Sequence, residues 1–170
     1  WNIQNASLST GFASPDGLLN ARNITPEATS GTHLMVSVAV SSDMNTYSIY
    51  AKANGYKYFR FNTGSSGNGF AEFDVEAGSV VGTGGTYYSS SSIEDVGDGW
   101  FRCSMTLSAG KPNGMTVAIE NNDRLVSFLG DGVSSLLFWG AQVETGSVAT
   151  SYIPTLSGST VTRAADDLEI

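Results

Sequence analysis

The stretch Val96-Gly97-Asp98-Gly99-Trp100-Phe101-Arg102-Cys103-Ser104-Met105-Thr106-Leu107 decides how this chain folds. Apolar side chains recur at every second position from Phe101 to Leu107. Successive side chains of a strand point to opposite faces, so Phe101, Cys103, Met105 and Leu107 turn to a core while Trp100, Arg102, Ser104 and Thr106 turn away. Asp98-Gly99, just before this run, is a dipeptide suited to a tight two-residue hairpin, because its central positions take positive φ. A strand entered through a hairpin implies an antiparallel neighbour on its amino-terminal side.

Outward from this stretch the same period of two recurs in short segments: residues 33–40, 46–53, 57–62, 71–74, 87–96, 116–120 and 136–144. They are separated by turn chemistry: Ser14-Pro15-Asp16-Gly17, Asn54-Gly55, the run from Gly64 to Gly69, Gly82-Thr83-Gly84-Gly85, Pro112-Asn113-Gly114 and Gly130-Asp131-Gly132. Asn54-Gly55 predicts a second hairpin. No segment carries a helical period. Many short strands without intervening helices predict an all-β, antiparallel two-sheet β-sandwich of jelly-roll type. No internal repeat or linker precedes about residue 155, so residues 1–155 read as one sandwich domain and residues 156–170 as a closing strand or a tail leading to a following domain.

The totals narrow the function. In 170 residues, hydrophobic side chains make up 41% and charged ones 14%, which suits a sandwich with polar, uncharged loops. The net charge of −8 repels nucleic acid and anionic membranes at long range, so neither is expected as a partner. A neutral or cationic polymer approaches such a chain more easily than an anionic one. The single cysteine, Cys103, falls on the apolar side of its strand and reads as a small buried hydrophobe. No apolar run approaches the roughly 20 residues of a membrane-spanning helix, and the amino end lacks a basic-then-apolar leader pattern.

Several stretches together carry a resemblance: Ser14-Pro-Asp-Gly17, Tyr47-Ser-Ile-Tyr-Ala-Lys-Ala53, Val96-Gly-Asp-Gly-Trp-Phe-Arg-Cys-Ser104, Phe138-Trp-Gly-Ala-Gln-Val-Glu144 with the following Ala149-Thr-Ser-Tyr-Ile-Pro-Thr155, and Thr160-Val-Thr-Arg-Ala-Ala-Asp166. In this order they resemble the carbohydrate-binding-module-like domains of bacteriophage tail-fibre and head-fibre proteins and of some bacterial polysaccharide-degrading enzymes. The resemblance implies a jelly-roll sandwich, glycan binding without chemistry, and a virion or extracellular setting in which the module attaches a virion or targets an enzyme. It also leaves room for a homo-oligomer within a larger fibre or multidomain protein.

Sugars are held by stacking their C–H faces on aromatic rings and by hydrogen bonds from planar polar groups. Alternation turns Tyr47, Ile49 and Ala51 inward and Ser48, Tyr50 and Lys52 outward; it turns Phe59 and Phe61 inward and Tyr58, Arg60 and Asn62 outward. In the last strand it places Leu137, Trp139, Ala141 and Val143 inward and Phe138, Gln142 and Glu144 outward. The expected carbohydrate-binding groove therefore comprises Tyr50, Lys52, Tyr58, Arg60, Trp100, Arg102, Gln142 and Glu144. The competing reading makes Trp100, Arg102, Gln142 and Glu144 a polar cluster that pins strands, with Arg102 paired to Glu144. Trp139 reads as core, and Tyr87-Tyr88 reads equally well as a mobile aromatic loop or a half-buried pair.

No cofactor is expected beyond a structural calcium. Calcium takes six to eight oxygens, and Asp16, Asp95, Asp98, Asp131, Asp166 and Asp167 lack a calcium-loop spacing. If one site exists, Asp166 is the expected ligand. Catalysis is not expected. A triad or multi-histidine centre would have to be built on the single histidine, His33, which reads as a strand-edge residue. Glycoside hydrolysis needs two carboxylates across a cleft. Glu72 and Asp74 share a strand face, with Glu120 or Glu144 as partners, so a lyase or hydrolase stays open as an alternative. A structural virion decoration or capping domain without sugar binding is the other.

Overall fold

In the computed structural model, residues 2–36, 43, 45–63, 68–109 and 114–154 are described here. They form thirteen strands: β1 (Asn2–Gln4), β2 (Ala6–Phe12), β3 (Ala21–Pro26), β4 (Ser30–Val36), β5 (Asn45–Asn54), β6 (Tyr58–Asn62), β7 (Phe70–Asp74), β8 (Ser79–Gly84), β9 (Tyr88–Gly97), β10 (Trp100–Leu107), β11 (Thr116–Glu120), β12 (Ser127–Leu129) and β13 (Ser135–Thr145). No helix occurs among the described residues. One sheet runs β1-β4-β11-β6-β7-β8, with β12 also on β4; the other runs β2-β3-β13-β5-β10-β9. The protein is an all-β, antiparallel two-sheet sandwich. Every segment expected from alternation contains a strand, although residues 37–40, the tail from 155 onward and Trp1 lie outside the described residues.

The two sheets meet through interlocked rings and aliphatic chains. Phe59, Phe61 and Phe73 of the first sheet are fully buried, and Phe59 meets Phe138 of the second edge-on at 5.4 Å. Phe59 also stacks on Phe73 at 5.1 Å. Tyr47, Ile49, Ala51, Cys103, Met105, Leu107 and Leu136 complete the facing wall. Burial makes the Cys103 thiol reluctant to ionise and pushes the Tyr47 phenol up to about 12. Asp98-Gly99 forms the β9–β10 turn with both residues at positive φ, 52° and 74°, as the hairpin chemistry requires.

Three expectations are corrected. Asn54-Gly55 does not form a hairpin: β5 lies in the second sheet and β6 in the first, so the chain crosses between sheets, with Gly55 bridged to Ser135. His33 is not at an edge. It is fully buried, Nδ1 lies 2.6 Å from the Asn5 carbonyl oxygen and Nε2 3.2 Å from that of Phe128, and its ring packs 4.5 Å from Phe128.

The third correction moves a face. Leu136 and Phe138 point into the core, while Leu137 and Trp139 point out. Residues 136–139 are apolar at every position, so alternation alone cannot orient them. A single alternation run through the whole strand gives the wrong side because β13 carries a bulge: Trp139 pairs with Tyr50 and Gln142 with Ser48, so Gly140 and Ala141 together oppose Ile49, one residue more than regular pairing allows. Gly140 sits in this bulge at φ +59°, and a Cβ there would come within 3.0 Å of Tyr50 Cδ2 and 3.4 Å of Tyr152 Cδ2. The absent side chain lets both rings close over the strand.

Candidate functional site

The eight expected sugar ligands do not form one groove. Tyr58 and Arg60 stand on the outer face of the first sheet; Tyr50, Lys52, Trp100, Arg102, Gln142 and Glu144 stand on the outer face of the second, on the far side of the sandwich.

On the first sheet, Arg60 is cross-strand from Glu72 and salt-bridged to it, and its Nε lies 3.2 Å from Glu120 Oε1, an ion-pair contact without hydrogen-bond alignment. Arg124 also binds Glu72 and donates to the Val81 carbonyl at 2.9 Å. Burial, followed by the negative charge of Glu72, pushes the Glu120 carboxyl up to about 7. Burial acts on Glu72 in the same sense, but the bonds from Arg60 and Arg124 outweigh it and hold Glu72 low. Of the carboxylates weighed for hydrolysis, Glu72 and Glu120 are brought together on Arg60, Asp74 binds the Glu76 and Ala77 amides, and Glu144 stands on the other sheet. Glu120 is nevertheless completely buried, so a substrate oxygen has no path to it. Lys57 and Arg60 lie over the rings of Tyr58 and Phe70 at 5.2 and 4.5 Å.

On the second sheet the outer face is covered by the protein itself. Trp100 and Leu137 are buried with Ala21 in a second small apolar cluster, against which Phe12, Tyr50 and Trp139 pack. Residues 146–153 then cross this face, and the side chains of the sheet take up their backbone groups. Thr46 donates to the Gly146 carbonyl at 2.9 Å, Thr106 to that of Ser147 at 3.2 Å, and Arg102 to that of Thr150. Glu144 accepts the Thr150 amide at 3.0 Å and its hydroxyl, and Gln142 accepts the Ile153 amide at 2.9 Å. A segment outside any ladder needs such partners when it is covered. Arg102 also reaches Ser48 at 3.3 Å and lies 5.5 Å over the Tyr50 ring; no Arg102–Glu144 ion pair forms, and both residues meet instead on Thr150. Lys52 donates to the Asp98 carbonyl. The polar residues of this face are engaged with the chain's own backbone.

What stays open lies at the bulge. A cavity of about 620 Å³ is lined by the inner-facing Ile3, Met35, Ile49 and Phe138 and, at its mouth, by Trp139 and Tyr152. Asn20 and Arg22, both exposed, share the lining. Trp139 and Tyr152 are half-buried, with ring centroids 4.5 Å apart, and each also meets Tyr50. Arg22 pairs with Phe138 across β3 and β13, which places it beside that ring on the same side of the sheet. Of these mouth residues the sequence reading assigned none to the site. β3 was not recognised as a strand, and Trp139 was placed inward; a glycine within an otherwise apolar strand, Gly140, was the available signal of a bulge.

A second depression of about 370 Å³ runs along β9 and β10 beside residues 147–149 and is lined mainly by serine hydroxyls with Glu94 and Arg102. Ser92 and Ser104 satisfy each other at 2.8 Å, and Ser91 meets the Tyr88 hydroxyl at 3.0 Å. Tyr87 and Tyr88 are half-buried against the core. Among the described residues no group of three potential metal ligands assembles. Asp16, Asp95 and Asp131 bind nearby amides in turns, while Asp166 and Asp167 lie outside the described residues.

No family model matches the chain, and no curated protein matches it.

Proposed function

We propose that this sandwich is a noncatalytic glycan-binding module whose sugar site is the mouth formed by Trp139 and Tyr152. The observation that carries the reading is that paired, half-exposed aromatic ring: two rings 4.5 Å apart border a cavity large enough for a sugar ring or two, with an amide and a guanidinium at the same opening. Such a mouth offers C–H stacking together with directional polar contacts. The bulge at Gly140 fixes the rings through backbone geometry, so little ordering is left to be done on binding. The resemblance of the Trp139-Gly-Ala-Gln142 stretch and its neighbours to the glycan-binding domains of phage fibres and polysaccharide-degrading enzymes supports the same reading. So does the jelly-roll architecture which that resemblance implies. The burial of Glu120 supports binding over hydrolysis.

The module acts as an attachment or targeting unit of a virion protein or secreted enzyme. Copies displayed together raise avidity without new contacts. A glycan array probed with the wild-type chain, with Trp139→Ala and with Tyr152→Ala tests this. Binding of defined glycans that both variants lose is expected. Unchanged binding in both variants, or appearance of cleaved products in the bound samples, contradicts it, and a wild-type chain that retains no glycan points to a purely structural domain.

A further inference from the structure

We infer, resting on the reading above, that the glycan taken at this mouth is acidic and that Arg22 receives its carboxylate. Arg22 is exposed and lines the cavity together with Trp139 and Tyr152. It stands apart from the other cations. Lys52 is bound to the Asp98 carbonyl, Lys57 to Glu76 and Asp74, Arg60 to Glu72 and Glu120, Arg102 to Thr150 and Ser48, and Arg124 to Glu72 and Val81. Among the described residues, Arg22 is the basic side chain with no partner in hydrogen bond or ion pair.

A chain with a net charge of −8 has no shortage of carboxylates to occupy a guanidinium. Asp16 is the instructive case, because it is bonded at 3.2 Å to Asn20, which lines the same cavity. Its carboxylate is instead taken up by Ser14, the Leu18 amide and Asn20. Arg22 therefore keeps its planar fork of donors free in the lining of the cavity that Trp139 and Tyr152 also border. That fork matches a carboxylate in bidentate geometry, which an ammonium cannot do.

The overall negative charge works in the opposite direction, as the composition suggested. Its reach is short, since charges more than about 8 Å apart are largely screened at physiological ionic strength. Contact at the mouth outweighs the remote field. Binding of an acidic sugar is expected to weaken with added salt, whereas binding of a neutral one is not.

Equilibrium binding to polygalacturonate, alginate and hyaluronan, each beside its carboxyl-reduced counterpart, tests the inference. The wild-type chain is compared with Arg22→Gln, Arg22→Lys and Trp139→Ala, all checked by melting temperature. At least one uronate polymer is expected to bind about tenfold more tightly than its reduced form, a difference of about 1.4 kcal/mol. Arg22→Gln is expected to erase that difference by weakening the acidic polymer about tenfold more than its carboxyl-reduced form, with Arg22→Lys in between. Equal binding of the acidic and reduced polymers, binding confined to neutral glycans, or an unchanged preference in Arg22→Gln overturns the inference. If Trp139→Ala still abolishes binding in those cases, the glycan site itself stands; if no polymer or arrayed glycan binds, both fall.

Discussion

Arg102 and Glu144 meet on one residue, Thr150: the guanidinium donates to its carbonyl, and the carboxylate accepts its amide at 3.0 Å and its hydroxyl. Two charged side chains on one outer face, from β10 and β13 with β5 between them, thereby fasten a segment that belongs to no strand. Glu144→Ala removes the acceptor for two donors. Hydrogen bonds to charged groups contribute about 1.5–3 kcal/mol, so a loss on the order of 2 kcal/mol in urea unfolding is expected. Amide exchange should quicken at Thr150 and Ile153 with β5 amides unchanged. Unaltered exchange at Thr150 would show that the carboxylate does not hold this segment.

Glu120 makes stability depend on pH in an unusual direction for a carboxyl. Its value rises from 4.5 unfolded to about 7 folded, so the folded chain binds the proton more tightly. That contribution is fully present below pH 4.5 and is lost as pH climbs to about 7, on the order of 3 kcal/mol in all. Glu72 and Asp74 are held low, so their contributions are lost in the opposite direction, as pH falls below their ordinary values. Stability should peak on the acidic side of neutrality. Glu120→Gln keeps a donor and carries no charge; it is expected to flatten the decline between pH 5 and 8 in a series of thermal melts. A decline of the same size in the variant would assign the effect elsewhere.

Gly140 permits the bulge that turns Trp139 outward. Gly140→Ala places a Cβ at positive φ and 3.0 Å from the Tyr50 ring. A residue forced into the left-handed region costs about 1–2 kcal/mol. Near-ultraviolet circular dichroism, which reports the packing of Trp139, Tyr50 and Tyr152, should lose intensity together with stability. A variant with the native spectrum and melting point would show that the ring arrangement does not need the glycine.

His33 bridges the Asn5 and Phe128 carbonyls from the interior. His33→Ala removes the ring N–H from between these two carbonyl oxygens and opens a void, for an expected loss of about 2–4 kcal/mol by denaturant unfolding. A cost below 1 kcal/mol would place the ring outside the core.

The sandwich was legible because β5, β6 and β10 alternate cleanly: Ile49, Phe59 and Cys103 face in, and Tyr50, Arg60 and Arg102 face out, as their periods require. β2 and β8 were not legible. Ala6–Phe12 is largely exposed, and Ser79–Gly84 carries two glycines, so neither shows an apolar stripe. Nor could alternation show what covers the outer face. Arg102, Gln142 and Glu144 were rightly turned away from the core, but the chemistry that suits them to a sugar suits a backbone amide equally well, and residues 146–153 supply it from within the chain. The mouth residues Trp139 and Arg22 escaped because a bulge reversed one and an unrecognised strand hid the other.

The most direct measurement is the dissociation constant of the strongest arrayed glycan for the wild-type chain, Trp139→Ala and Tyr58→Ala, the last lying on the opposite face of the sandwich. Recognition at the bulge requires a loss of about tenfold or more in Trp139→Ala, equivalent to at least ~1.4 kcal/mol, with Tyr58→Ala unchanged. Wild-type affinity in Trp139→Ala, or a loss confined to Tyr58→Ala, would contradict it.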